Sequence, residues 1–354
     1  MSAREDPPRS TTANPAESAA PVSVPGKPSI PRSLALVLSG GGARGAYEVG
    51  VLSYLFGADF SRLLGRPPRV DILCGTSVGA INGAYVAAHI ADLQQCMRRL
   101  VDMWTALELQ NVLRFTLSHA MSLPRVLAGG GDSVGIFDVR PMIELITREV
   151  SWKAVNRSIR RGHLRAMSIS ATEIATGRTT VFVDAHPSVA VPTRIGPRSH
   201  VVLGPVGPLH ALASAAIPLI FPPVRIGSML YCDGGLRQNT PMAPAIRLGA
   251  ERVLVIGVAR EVNGPAAPER VATKLPPAPG APFLLGKVLN AFLLDHVQAD
   301  LDLLGRINDM LSDGERAYGP DFVTKLSDAA MARGNEPYRP VRALAVRPSE
   351  DIGR

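Results

Sequence analysis

The chain has 354 residues, 46% of them hydrophobic, with 38 Lys and Arg against 30 Asp and Glu for a formal net charge of +8. That is enough apolar material to bury the core of one large α/β domain or two small ones, and no exotic class is needed. The positive balance permits attraction to anionic surfaces, but nearly all of it is Arg in a chain also rich in Ala, Gly and Pro; without a compact basic run interleaved with aromatics, nucleic acid is not an expected partner.

Residues 1–32 are rich in Pro, Ser and Ala and lack the apolar core of a signal peptide, so they read as a disordered tail ahead of a domain over 33–354. No apolar stretch approaches the roughly 18 residues that would span a bilayer. The expected location is cytoplasmic, with peripheral attachment to membranes as the alternative. The three cysteines, Cys74, Cys96 and Cys232, are scattered, with no CxxC spacing and no disulfide framework. They fit a reducing compartment, and Cys74 and Cys232 read as packing.

The first strand is predicted at 34–38 (LALVL). It runs into GGGARG, Gly40 to Gly45, and then into an apolar pattern at helical spacing. Gly40, Gly42 and Gly45 satisfy GxGxxG, a dinucleotide signature that also wants an acidic residue about 20 positions on, closing a second strand. Asp59 has the spacing but sits in no strand, and Asp71 opens its strand instead of closing it. A strand ending in consecutive glycines before a helix exposes backbone N–H groups that suit an oxyanion as well as a phosphate. The cluster therefore reads as an oxyanion hole.

A second strand, 70–74, leads into GTSVG, Gly75 to Gly79, and a small-residue helix. Strand, GxSxG and helix occur in the order of a nucleophile elbow, where side chains at Gly75 and Gly79 would collide with the neighbouring strand and helix. Ser77 is expected to stand in the open at the helix N-terminus. GDSVG at 131–135 matches the same pattern around Ser133, but it lies in a Gly-rich loop over 119–135 with no strand before it. Ser133 is expected to be inert.

Further strands are predicted at 166–171, 179–183 and 253–258, with a hairpin turning near Thr176 and Gly177. The sheet is thus mainly parallel with one antiparallel pair. Asp233 ends the apolar run MLYC and enters Gly234 and Gly235, so its carboxylate stands at a strand end, although an ordinary Asp-Gly turn would look the same. None of the seven histidines lies in a late loop of the kind that supplies a triad base. Residues 261–282 form a Pro-rich insertion, either a lid or a surface loop. Residues 283–354 form a C-terminal extension: an amphipathic helix over 283–308, a last strand in VRALAV, and a helix start at Ser349, Glu350 and Asp351.

GGGARG, GTSVG, ASAAIP (Ala213 to Pro218) and DGG (Asp233 to Gly235) occur in the order and context of the patatin-like phospholipases, which the chain resembles over roughly residues 34–260. The resemblance implies a three-layer α/β/α sandwich and a Ser–Asp dyad without His. Ser77 would be the nucleophile, Asp233 its proton acceptor, and the amides around Gly41, Gly42 and Ala43 the oxyanion hole. Gly40, Gly45, Gly75, Gly79, Gly234 and Gly235 would support the motifs; Arg44 would brace the loop or meet a lipid phosphate. Ser214 and Pro218 read as framework. A free carboxylate is a poor base for a hydroxyl, so burial is expected to raise the Asp233 pKa.

The implied activity is hydrolysis of phospholipid or other acyl esters, of the phospholipase A or lysophospholipase type. No metal or organic cofactor is implied. A non-catalytic scaffold that binds membranes or proteins and an acyltransferase using the same dyad are the alternatives.

Overall fold

A computed structural model of the chain describes residues 33–108, 114–115, 137–196, 198–218, 220–260, 280, 297–350 and 352. The expected tail, the loop at 119–135 with Ser133, nearly all of the insertion and the first part of the late helix lie outside these residues.

Strand β1 (Leu34–Leu38) alternates its side chains between two cores. Leu36 and Leu38 face one and Ala35 and Val37 the other, as strand geometry requires. Both faces are covered, which is why the strand reads as an unbroken apolar run. Fully burying a side chain such as Leu36 stabilises by about 1.5–3 kcal/mol.

The first core packs the sheet against α1 (Gly45–Leu55), α3 (Val78–Ala88), α4 (Leu93–Thr105), α5 (Arg140–Glu149), α6 (Trp152–Arg160) and α7 (Pro208–Ala215). The short α2 (Ala58–Leu64) follows α1 and buries none of its residues. The second core packs the opposite face against α9 (Met242–Arg247) and the start of α10 (Val297–Tyr318). The result is a three-layer α/β/α sandwich. Helix α11 (Phe322–Met331) follows α10. No helix among the described residues is long and apolar enough to cross a membrane.

The other strands are β2 (Ile72–Thr76), the short pair β3 (Arg114–Phe115) and β4 (Phe137–Asp138), β5 (Ala166–Glu173), β6 (Thr179–Ala185), β7 (Ser199–Leu203), β8 (Val224–Ile226), β9 (Met229–Asp233), β10 (Arg252–Ile256) and β11 (Arg342–Val346). Nine of the strands form one sheet in the order β11-β10-β1-β2-β5-β6-β7, with β9 paired to β5 and β8 paired to β9. From β11 to β5 the pairing is parallel.

The one expected antiparallel pair, β5 with β6, is joined by two others, β5 with β9 and β8 with β9. β2 starts and ends two residues later than predicted. β7 was not predicted: it lies at the sheet edge, half buried at its start and 64% exposed at Leu203, and its apolar run is only three residues long, Val201 to Leu203. Residues 349, 350 and 352 are not helical, against the expected helix start.

One feature of register positions the site. β5 pairs with β2 as far as Ser170, opposite Thr76, and then runs on past the end of β2. β9 takes over the same edge, with Asp233 opposite Ala171. The end of β2 and the end of β9 therefore meet at consecutive positions along one strand.

Candidate active site

Ser77 joins β2 to α3 and is the one non-glycine residue with positive φ among those described, at φ 54° and ψ −125°. Such a conformation costs on the order of 1–3 kcal/mol and persists only where neighbours enforce it. Here the Ser77 N–H donates to Ser214 Oγ at 2.7 Å, and Ser214 Oγ donates to the Ser170 carbonyl at 2.6 Å. The flanking glycines allow the approach. A Cβ on Gly75 would lie 2.5 Å from the Gly79 carbonyl oxygen, and one on Gly79 would strike the carbonyl of Leu38 at the end of β1. Ser77 does not stand in the open as expected. It is 4% exposed, because helices of the first layer build a cavity over it.

The Ser77 hydroxyl donates to Asp233 Oδ2 at 2.8 Å. Asp233 is fully buried. Its backbone N–H donates to the Ala216 carbonyl at 2.8 Å and its carbonyl accepts from Thr172 Oγ1 at 2.9 Å. Its other carboxylate oxygen accepts the Gly235 N–H at 2.6 Å, at the start of α8 (Gly235–Gln238). Burial pushes the carboxyl up to about 7, while the bonds from Gly235 and Ser77 favour its charged form and pull it down. Gly234 donates its N–H to the Ser214 carbonyl at 3.2 Å, so the C-terminal end of α7 holds both halves of the pair.

The glycine loop lies beside them. Gly42 to Arg44 form a single 3-10 turn in which Gly42 takes φ +57°, a left-handed value that favours glycine. Gly42 and Ala43 are exposed and line the same cavity as Ser77. Among the described residues no acceptor takes the N–H of Gly41, Gly42 or Ala43. Arg44 donates its N–H to the Gly41 carbonyl, closing the turn, and does not line the cavity. Gly45 opens α1.

The cavity measures about 510 Å³ and is walled by Ala46, Ile81, Trp104, Met142, Ile217 and Phe221, among others. Its lining is mostly apolar, with Asn82, Glu108 and Glu149 among the exceptions, and a mostly apolar space suits a hydrocarbon chain. Its wall is tied to the glycine-loop helix by a buried polar chain: Trp104 Nε1 donates to Asn82 Oδ1 at 3.0 Å, and Asn82 Nδ2 donates to Glu48 Oε2 at 2.9 Å and to the Gly45 carbonyl at 3.2 Å. Glu48 has no exposed surface, and burial lifts its carboxyl to about 8. A second hollow of about 540 Å³ runs along α10 and α11 and includes no residue of this site.

The remaining polar candidates lie elsewhere. Asp59 is an exposed partner of Arg62 on α2. His89 contacts the Tyr85 carbonyl, His186 pairs with Ser188, His200 with Thr180, and His210 accepts the Gly207 N–H beside α7. His119 and His296 lie outside the described residues. Burial pushes Cys74 up to about 12 and Cys232 to about 11, so both are packed as neutral thiols. Sequence reasoning passed over Glu48, Asn82 and residues 238–240. The one available signal was a carboxylate in an otherwise apolar helix face, AYEVGVL.

The sequence pattern of the family described as Patatin-like phospholipase matches residues 36–246, more than half of the chain. The chain belongs to the patatin-like phospholipase family. A curated relative, the cGAMP-activated phospholipase of Pseudomonas aeruginosa (strain BWHPSA011 / Pa011), is 30% identical over 223 residues, 60% of this chain and 55% of its own. This chain thus spans little more than half the length of that relative. Among solved structures, VipD from Legionella pneumophila matches with a TM-score of 0.37 at 13% identity, covering 89% of this chain and 61% of that one. Human GIVD cytosolic phospholipase A2 matches at 0.33 and 14%, covering 64% and 40%.

Proposed function

We propose that the protein is a serine-dependent lipid acyl hydrolase that cleaves carboxylic esters of phospholipids or lysophospholipids through an acyl-enzyme on Ser77. The observation that carries this reading is the 2.8 Å hydrogen bond from Ser77 Oγ to a buried Asp233 at the floor of an apolar cavity, with the glycine loop at its edge.

Asp233 takes the hydroxyl proton as Ser77 Oγ attacks the ester carbonyl. The carbonyl oxygen becomes an anion held by the amides of the Gly41–Ala43 loop. When the intermediate collapses, the ester C–O bond breaks and the leaving alcohol receives the proton from Asp233. Water then gives a proton to Asp233 and attacks the acyl carbon. The Ser77–acyl bond breaks, the serine oxygen recovers a proton, and a fatty acid leaves.

A carboxyl lifted to about 7 is a far better proton acceptor than an exposed aspartate, and yet is largely ionised above neutrality. The hydrogen bond to Ser77 sets the direction of transfer. An oxyanion donor is commonly worth about 100 to 1,000-fold in rate, so the loop carries a large share of the catalysis.

Hydrolysis of defined phospholipids, read as released fatty acid, is expected from the wild type and from Ser133→Ala but not from Ser77→Ala. A fluorophosphonate probe is expected to label only proteins that keep Ser77. Equal labelling of wild type and Ser77→Ala would overturn the assignment.

A further inference from the structure

The amides assigned to the oxyanion lie at the open tip of their loop: nothing lies within 4 Å of a Cβ placed on Gly42, and Gly42 and Ala43 are exposed. Glycine torsions are soft. The loop is held at its flanks, where Gly41 packs on Val258 and Gly45 on Val78 and Trp104, and the flank next to Ser77 is Gly40. There the Gly40 N–H donates to the Asn239 carbonyl at 3.0 Å, and Asn239 Nδ2 donates to the Gly40 carbonyl at 3.2 Å. One residue thus holds both polar groups of Gly40. We propose that Asn239 is a positioning residue that sets the placement of the oxyanion loop relative to Ser77, an inference that rests on the hydrolase reading above.

Asn239 is itself held on both sides. Gln238 before it accepts from Thr76 Oγ1 through its backbone carbonyl at 2.9 Å and from Ser170 Oγ through Oε1 at 3.2 Å. Thr240 after it shares a 2.7 Å hydrogen bond with the Ser39 hydroxyl. The segment that leaves Asp233 therefore grips the ends of β1 and β2 and the middle of β5, and Gly40 lies against both Asn239 and Ser77. A Cβ on Gly40 would meet Asn239 Oδ1 at 2.5 Å and the Ser77 Cβ at 3.2 Å.

Asn239 is 6% exposed, and its Oδ1 is buried without a hydrogen-bond partner among the described residues. An unpaired buried acceptor costs roughly 1–3 kcal/mol, so an amide here is poor choice for stability alone. What the amide supplies is a donor aimed at Gly40, which no apolar residue of that size offers. Misplacing a reacting or stabilising group by an ångström costs about 100-fold in rate, so the expected penalty for losing this donor is large.

Asn239→Ala and Asn239→Asp test the proposal; the second fills the same volume but turns an oxygen toward the Gly40 carbonyl. Three measurements on the full chain are needed: phospholipid turnover, thermal unfolding, and inhibition by a fatty-acyl trifluoromethyl ketone beside inhibition by oleate. The ketone forms a tetrahedral adduct on serine, whereas oleate tests only the occupied cavity. Both variants are expected to fold, with kcat about 10- to 100-fold lower, KM and oleate inhibition little changed, and ketone affinity falling in step with kcat.

Wild-type kcat in either folded variant, or a loss confined to KM, would overturn the proposal. Should Asn239→Ala fail to fold, Asn239→Asp decides by the same criteria, and failure of both to fold counts against a positioning role. Turnover that survives Ser77→Ala would instead remove the hydrolase reading, a result distinct from an unaffected Asn239 variant in an enzyme that needs Ser77.

Discussion

Asp233 shows how one residue's surroundings set its chemistry. Its full burial raises the carboxyl to about 7, and the Gly235 and Ser77 hydrogen bonds limit the rise. In the proposed mechanism the base form is the ionised one, so kcat/KM is expected to climb with pH through about 7 and level off above it; a profile flat between pH 5 and 8 would exclude this role. Asp233→Asn keeps the shape and removes the acceptor, and is expected to abolish turnover while the protein still melts cooperatively. Ser214 governs the partner. Ser214→Ala leaves the Ser77 N–H buried and unpaired and releases the tether on a positive-φ serine. A loss of roughly 1–3 kcal/mol in chemical denaturation, with reduced kcat, is expected.

The secondary-structure elements carry unequal tolerance to change, and glycine substitutions read it out. In α1, Gly50 is exposed with nothing within 4 Å of an added Cβ, so Gly50→Ala is expected to raise stability by about 0.5–1 kcal/mol. Gly79→Ala, in the first turn of α3, meets the carbonyl of Leu38 and is expected to lower the melting temperature steeply or to prevent folding. Thermal unfolding of the pair separates a helix that merely spans from one that presses against a strand.

The same contrast explains what the sequence made legible. β1, β2 and β10 are buried on both faces and read as apolar runs, and the elbow reads from glycines forced by contact. β7 has one edge open to water and its last two residues exposed, and its short apolar run, Val201 to Leu203, is too brief to mark a strand. Ser77 was expected in the open because the elbow motif describes a turn and says nothing of the helices packed above it.

Across the whole molecule, two buried carboxyls link folding to pH. Glu48 is lifted to about 8 and Asp233 to about 7, against unfolded values near 4. Between pH 4 and 8 the folded chain holds more of these protons than the unfolded chain, so their contribution to stability is full below about pH 4 and is lost as pH rises through 7 and 8. Glu48→Gln keeps an acceptor for Asn82 and removes the ionisation. Its melting temperature is expected to gain on the wild type progressively from pH 5.5 to 8.5; a constant offset would refute the linkage. Apart from a lone glutamate in the apolar helix face AYEVGVL, no local pattern announced this network or the grip of residues 238–240 on the ends of β1 and β2. Each joins side chains to groups far along the chain, and sequence periodicity records only which face an element buries.

The handover on β5, where β9 continues the edge that β2 abandons, joins a hydroxyl and a carboxylate that lie 156 positions apart. Under the proposed chemistry, a growing polypeptide still short of Met229 would own the alcohol without its proton acceptor. Lipid cleavage would switch on only when the hairpin of β8 and β9 docks, so translation order itself would keep an unfinished chain from attacking membranes.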